Sequence, residues 1–166
     1  MAAVVATLVL AAMTPLCRAA DLTTASTFLA HLYAHYPLPH DNSAFDPTGR
    51  DAKAVFDPAM VALLRENDRL TPRGDVGAID WDPLCDCQDD SGMVASVGEI
   101  HPSGPGAAIA KVRLRFTQAK PVEESLLTFQ LVAVQGQWRI RDVKEKATPS
   151  LRALLARANR AARRRR

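Results

Sequence analysis

Between Ala108 and Phe116 the sequence reads AIAKVRLRF, and Ala108, Ala110, Val112, Leu114 and Phe116 alternate with Lys111, Arg113 and Arg115. A period of two puts every apolar side chain on one face of an extended strand and leaves the other face to water. Such a strand needs neighbours for its backbone groups and a cover for its apolar face. The pattern recurs in SLLTFQLVAV, where Leu127, Phe129 and Leu131 share a face. Gln135-Gly136 then turns the chain into WRIRDV, where Trp138 and Ile140 alternate with Arg139 and Arg141. MVASVGEI, Met93–Ile100, is an earlier strand, joined to the next by a hairpin loop HPSGPG.

Ahead of the strands the period is about 3.6. Phe28, Leu29, Leu32, Tyr33 and Tyr36 make one apolar stripe, which predicts a helix over Asp21–Tyr36 with Thr23 or Thr24 as its cap and Pro37 and Pro39 as its stop. A polar loop follows to about Arg50. FDPAMVALL announces a second helix, with Asp57 as N-cap, Pro58 at the first helical position, and Phe56 and Val61 placed as a hydrophobic staple. It should end near Arg69. At the other end, Thr148 caps and Pro149 starts a short helix whose apolar face is Leu151, Leu154, Leu155 and Ala158. Helices followed by a run of antiparallel strands argue for an α+β fold: N-terminal helices packed on a curved sheet of about four strands, with a short C-terminal helix.

The two ends suggest a compartment and a charge pattern. MAAVVATLVLAAMTPLCRAA has an apolar run from Ala2 to Met13, a helix-breaking Pro15 and then small residues, the pattern of a signal peptide over 1–19 cleaved after Ala19. No Lys or Arg precedes the run, and Leu16 ahead of Cys17 does not suit lipidation. The run is shorter than the roughly 20 apolar residues of a membrane span. The expected product is periplasmic or secreted and not membrane-spanning. Cys17 leaves with the signal, so Cys85 and Cys87 remain where a thiol pair oxidises if geometry allows. The formal charge is +3, yet without Arg152, Arg157, Arg160 and Arg163–Arg166 it is −4. The basic character belongs to a C-terminal tail over 156–166, not to the domain.

The order FLAHLYAHY, VFDPAMVALL, IDWDPLCDCQD, LVAVQGQWRIRDV and SLRALL resembles a family of exported bacterial proteins with a domain of unknown function. The resemblance covers about Ala25–Leu155. It implies a single cystatin-like, nuclear-transport-factor-two-like cone over 20–155, in which helices are wrapped by a bent four-stranded sheet, and a place in the bacterial envelope. The family pattern falls on Phe28, Leu29, Tyr33, Tyr36, Phe56, Leu63, Asp80, Asp82, Pro83, Gln88, Asp89, Trp138, Ile140 and Asp142. Cys85 and Cys87 stand outside it. No reaction is implied, and fold alone supplies none.

IDWDPLCDCQDD, Ile79–Asp90, concentrates the polar chemistry. Five carboxylates with two thiols are a mixed ligand set, since carboxylates suit calcium or magnesium and thiolates suit zinc or copper; the turn glycine and final glutamate of a calcium loop are absent. Cys85 and Cys87 are a weak metal pair and a candidate disulfide. Two residues apart in a strand, their Cα atoms would be about 6.6 Å apart, so a bridge needs a local kink. The structural reading has Asp82-Pro83 starting a turn, Gln88 and Asp89 accepting or donating backbone bonds, and Trp81 and Leu84 pinning the segment to the core. The catalytic reading, by analogy with enzymes on the cone fold, has Asp82 or Asp89 as base and Tyr33 as hydrogen-bond donor. A pocket lined by Tyr33, Asp82 and Arg113 would favour it. Asp80, Asp82, Gln88, Asp89 and Trp138 are the candidate binding residues. His31 and His35 are four apart but lack the glutamate of a zinc-protease helix, and they read as surface residues. The tail, Arg163, Arg164, Arg165 and Arg166, suits an anionic surface, or its own acidic stretch; no interleaved aromatics suggest nucleic acid. No cofactor is expected. The leading expectation is a non-enzymatic binding or scaffold domain with an envelope protein or small ligand as partner.

Overall fold

A computed structural model describes residues 21–38 and 44–165; the expected signal segment with Cys17, together with Pro39, His40 and Arg166, lies outside the described residues. Along the chain come helix α1 (Leu22–Tyr33), the single turn α2 (Ala52–Val55), helix α3 (Pro58–Leu70), strands β1 (Met93–Gly104), β2 (Ala107–Phe116), β3 (Glu123–Val134) and β4 (Gln137–Lys144), and helix α4 (Leu151–Arg163). The strands form one antiparallel sheet in the order β1-β2-β3-β4. The architecture is α+β, as the change of period requires.

Alternation places the core. Ala108, Ala110, Val112, Leu114 and Phe116 are buried, whereas Ile109, Lys111, Arg113 and Arg115 face outward. On β3 the buried residues are Leu127, Phe129 and Leu131, and the register sets Phe129 beside Ala110 and Leu127 beside Val112. Leu29 from α1, Phe56 and Met60 fill this face from the helical side. At the β3–β4 turn both Gln135 (φ 52°) and Gly136 (φ 77°) are left-handed, the requirement of a two-residue type I′ hairpin. Register shifts interrupt β1 between Val97 and Ile100 and between Pro102 and Gly104, and β3 between Gln130 and Leu131; such irregularities bend and twist a sheet. The free side of β4 is occupied, because the Asp57 amide donates to the Ile140 carbonyl at 2.9 Å and Phe56 bridges Ile140 in parallel.

Several boundaries differ from the sequence expectation. The first helix is capped by Asp21, whose side chain accepts from the Thr23 amide, and it ends at Tyr33, before Tyr36. The loop expected at HPSGPG is mostly strand, since His101 and Pro102 pair with Ile109 and Ala108. Asp57 caps α3 as expected, accepting from the Met60 amide at 2.7 Å. Ser150, not Thr148, caps α4, accepting from the Ala153 amide at 3.0 Å.

Helix α4 continues past Leu155 to Arg163, so most of the expected tail is packed helix. The cause is Asn159, one turn beyond Leu155 and only 2% exposed. Its side chain accepts from Asn67 at 2.9 Å and donates to the Leu63 carbonyl at 3.0 Å. Arg163 then pairs with Glu66. Arg163 is therefore engaged by α3 and not by the acidic stretch; Arg164 and Arg165 follow the helix end, exposed.

Asp142 links the sheet to α4. It accepts from the Val143 and Arg152 amides, each at 2.9 Å, and from the Ser150 hydroxyl at 2.6 Å. Arg152 in turn donates to Asp57 at 2.6 Å. Asp142→Ala strands the Ser150 and Arg152 donors, and is expected to lower the unfolding free energy by about 2–3 kcal/mol, read from urea denaturation followed by circular dichroism.

Candidate functional site

The acidic segment is a compact loop built around its cysteines. The Asp82 amide donates to the Cys87 carbonyl at 2.9 Å and the Cys85 amide to the Asp82 carbonyl at 3.2 Å. Cys85 and Cys87 form a disulfide with Cα atoms 5.1 Å apart. The required kink is at Asp86, whose φ of 55° is left-handed, a region that non-glycine residues seldom occupy. Leu84 and Cys85 are fully buried.

Helix α1 and the residues after it hold the loop. The Tyr33 hydroxyl donates to the Leu84 carbonyl at 2.7 Å, the Tyr36 hydroxyl to Asp82 Oδ2 at 2.5 Å, and the Leu38 amide to Asp90 Oδ2. The other oxygen of Asp82 accepts from the Leu84 amide at 2.8 Å. Tyr36, not Tyr33, is thus the carboxylate's partner. Burial raises the pKa of Asp82 above the ordinary carboxyl range; the Tyr36 and Leu84 bonds oppose that rise and Asp90 adds to it. Burial, then the Asp82 charge, raises both tyrosines.

The other candidates separate. Asp80, Asp82 and Gln88 line one open cleft of about 390 Å³ together with Asp46, Trp81 and Asp90. Gln88 donates weakly to the Asp80 carbonyl at 3.3 Å. Asp89 is exposed, accepts from the Ser91 amide at 2.9 Å, and lines a neighbouring cleft. Trp138 lies near the opposite end of α1, where its indole donates to Thr24 at 2.9 Å. Arg113 is on the outer face of the sheet, paired with Glu124 at 3.1 Å, and does not join Tyr33 and Asp82. Among the described residues no group of three or more His, Cys, Asp or Glu is arranged to hold a metal, and cysteines joined in a disulfide are not thiolate ligands. His31 and His35 are exposed; His35 stacks on Phe45 with ring centroids 4.2 Å apart.

A second carboxyl cluster had no sequence signal. Glu145, just after β4, is 6% exposed and lies beside Asp86, the two lining one cleft. Ser125 on β3 donates to Asp86 at 2.7 Å. Glu145 Oε2 and Trp81 Nε1 are shut off from solvent and neither makes a well-formed hydrogen bond, although the indole lies close enough to ease ionisation of the acid. Burial first, and Asp86 second, push the Glu145 pKa up to about 7. Sequence spacing places Glu145 far from the acidic loop; only the sheet brings them together.

Two outcomes check this geometry. Tyr36→Phe removes a bond to the ionised carboxylate and should raise the Asp82 pKa further, read by carboxyl-carbon NMR titration, with a stability loss of about 1.5–3 kcal/mol. Glu145 holds its proton more tightly folded than unfolded, so its contribution is present at low pH and is lost as pH rises from about 4.5 to about 7. Glu145→Gln should flatten that part of a stability-versus-pH profile.

No family profile matches the chain. It is 32% identical over 120 residues to the uncharacterized protein YqhG of Escherichia coli strain K12, an alignment covering 72% of this chain and 38% of that protein. The chain therefore spans well under half the length of the curated relative it matches. The crystal structure of the intermembrane space region of chloroplast protein ARC6 is a distant structural neighbour, at 15% identity, 75% and 95% coverage of the two chains, and a TM-score of 0.40. A likeness at that level carries no argument.

Proposed function

We propose that this chain is an exported bacterial protein of the cell envelope, whose cystatin-like domain binds a partner or small ligand and catalyses no reaction. One observation carries the reading: both oxygens of Asp82, the buried one of the two candidate bases, are engaged by the protein itself, through Tyr36 and the Leu84 amide. A general base must reach a substrate proton. The buried face of the sheet, where a cone-fold enzyme would hold substrate, is filled by Leu29, Leu127 and Phe129.

The feature left for recognition is the outer cleft. Asp46, Asp80, Asp82 and Asp90 line it with Trp81 and Ile79, and among the described residues no Lys, Arg or His lines it. That lining suits an ammonium or guanidinium group carried next to an apolar surface, so the partner is a basic segment of an envelope protein or a small organic cation. The disulfide supports an oxidising compartment, and the register shifts that bend a four-stranded sheet support the cone reading. Arg164 and Arg165 are a further contact for an anionic surface.

Protein recovered from the periplasm of an expressing bacterium should have an intact mass that begins at Ala20 and is two hydrogens below the dithiol form. Native mass spectrometry with an arginine-rich peptide should show a bound peptide, weakened by salt and by Asp80→Asn. A cytoplasmic product retaining residues 1–19 sinks the export claim. Binding that ignores both salt and Asp80→Asn sinks the cleft.

A further inference from the structure

We propose that the Cys85–Cys87 disulfide is a thiol–disulfide exchange site, opened by attack of an external dithiol on Cys87, and that its opening releases Asp86 from Ser125 and Glu145. This stands independently of the binding reading.

Access decides which sulfur is attacked. Cys85 is fully buried, whereas Cys87 is half-buried and borders the clefts on both sides of the loop. The incoming thiolate bonds to Cys87 Sγ, the Cys85–Cys87 bond breaks, and Cys85 leaves with the electron pair and takes up a proton. The second thiol of the dithiol then attacks the mixed disulfide and Cys87 departs as a thiol. Two electrons pass to the protein, and the dithiol leaves as its own disulfide.

The surroundings make this pair a target and not a catalyst. Catalytic cysteines sit beside a Lys, Arg or His that stabilises the thiolate. Among the described residues neither cleft is lined by a cationic side chain; Asp80, Asp82, Asp89, Asp90 and Glu123 are there instead. A negative rim slows anionic thiols such as glutathione and spares neutral or cationic dithiols.

The consequence follows from Asp86 being the middle residue of the bridge. The closed ring holds it left-handed, against the preference of an L-residue, with its carboxyl against Ser125 Oγ and Glu145. Once the ring opens, Asp86 can return to ordinary backbone angles and take its carboxyl away from β3 and from the end of β4. The charged groups facing this point are Asp86 from the loop, Glu123 and Glu124 from β3, and Lys144 and Lys146 beside Glu145. The raised pKa of Glu145 adds a pH grade, since Glu145 loses its proton towards neutrality and its carboxylate then stands against Asp86.

The test uses the oxidised full chain, without denaturant. Reduction by dithiothreitol and by glutathione is followed by maleimide quenching and peptide mass, and hydrogen exchange is compared before and after. Dithiothreitol should reduce the native bond at least ~10-fold faster per thiolate than glutathione, with salt narrowing the gap. In the reduced chain Cys87 should label about tenfold faster than Cys85. Exchange should rise over 82–90 and 143–148 and stay unchanged in β2. A bond that opens only in denaturant, preferential labelling of Cys85, or unchanged exchange over 143–148 would each overturn the proposal. Glu145→Gln, oxidised, should remove the pH dependence of the protection factors (exchange corrected for its intrinsic rate) over 143–148; persistence of that dependence overturns the Asp86–Glu145 link.

Discussion

Tyr33 is where helix, sheet and acidic loop meet. Its ring packs edge-on to Phe129 with centroids 6.4 Å apart and tilts against Tyr36 at 5.6 Å, while its hydroxyl is spent on the Leu84 carbonyl. A buried phenol must satisfy its hydroxyl, and here the partner is the backbone of the loop next to the disulfide. The apolar part of the residue belongs to the core and the polar tip fixes the loop at Leu84, so that end of the loop is tied to the helix–sheet contact. The neighbouring Tyr36–Asp82 bond repeats the arrangement closer to solvent, with a carboxylate as acceptor.

That coupling explains what was legible in the sequence. Patterns of one element came through: the buried side of β2, the Asp57-Pro58 start of α3, and the Gln135-Gly136 turn are each determined by residues within a few positions. The alternation also argued that Arg113 faces water, opposite Val112 and Leu114, which is incompatible with a pocket shared with Asp82. Contacts between elements did not come through. Whether Tyr33 or Tyr36 meets Asp82 depends on where α1 stops, and both lie on the same stripe. Asn159 interrupts an apolar pattern and looks like an end, until Asn67 and the Leu63 carbonyl supply its partners. Glu145 carries no local mark at all, because its chemistry is created by burial and by Asp86, which lies in a different segment.

Charge is divided by surface. The acidic groups crowd the loop end, whereas Lys111, Arg113 and Arg115 run along the outer face of β2 and the arginines of α4 lie along that helix. The small formal total therefore conceals local fields of opposite sign, and local field, not net charge, steers an approaching ligand. Some arginines are already committed. Glu124 takes both Arg113 and Arg115, and Arg152 serves the junction of α3, β4 and α4. Reading the sequence as an acidic body with a basic tail missed this division, because it counted charges by position in the chain and not by face.

The way the sheet ends has a consequence for recognition. Open β-edges invite a further strand, from a partner or from a second copy. On the β4 side that place is taken by Phe56 and Asp57, which hold Ile140. On the β1 side the ladder is broken by two register shifts and by Pro102, which offers no amide. A visitor seeking backbone pairing finds only short stretches of template. Selection among partners is left to side chains, which read charge and shape, and the same arrangement guards the chain against edge-to-edge stacking when it is crowded.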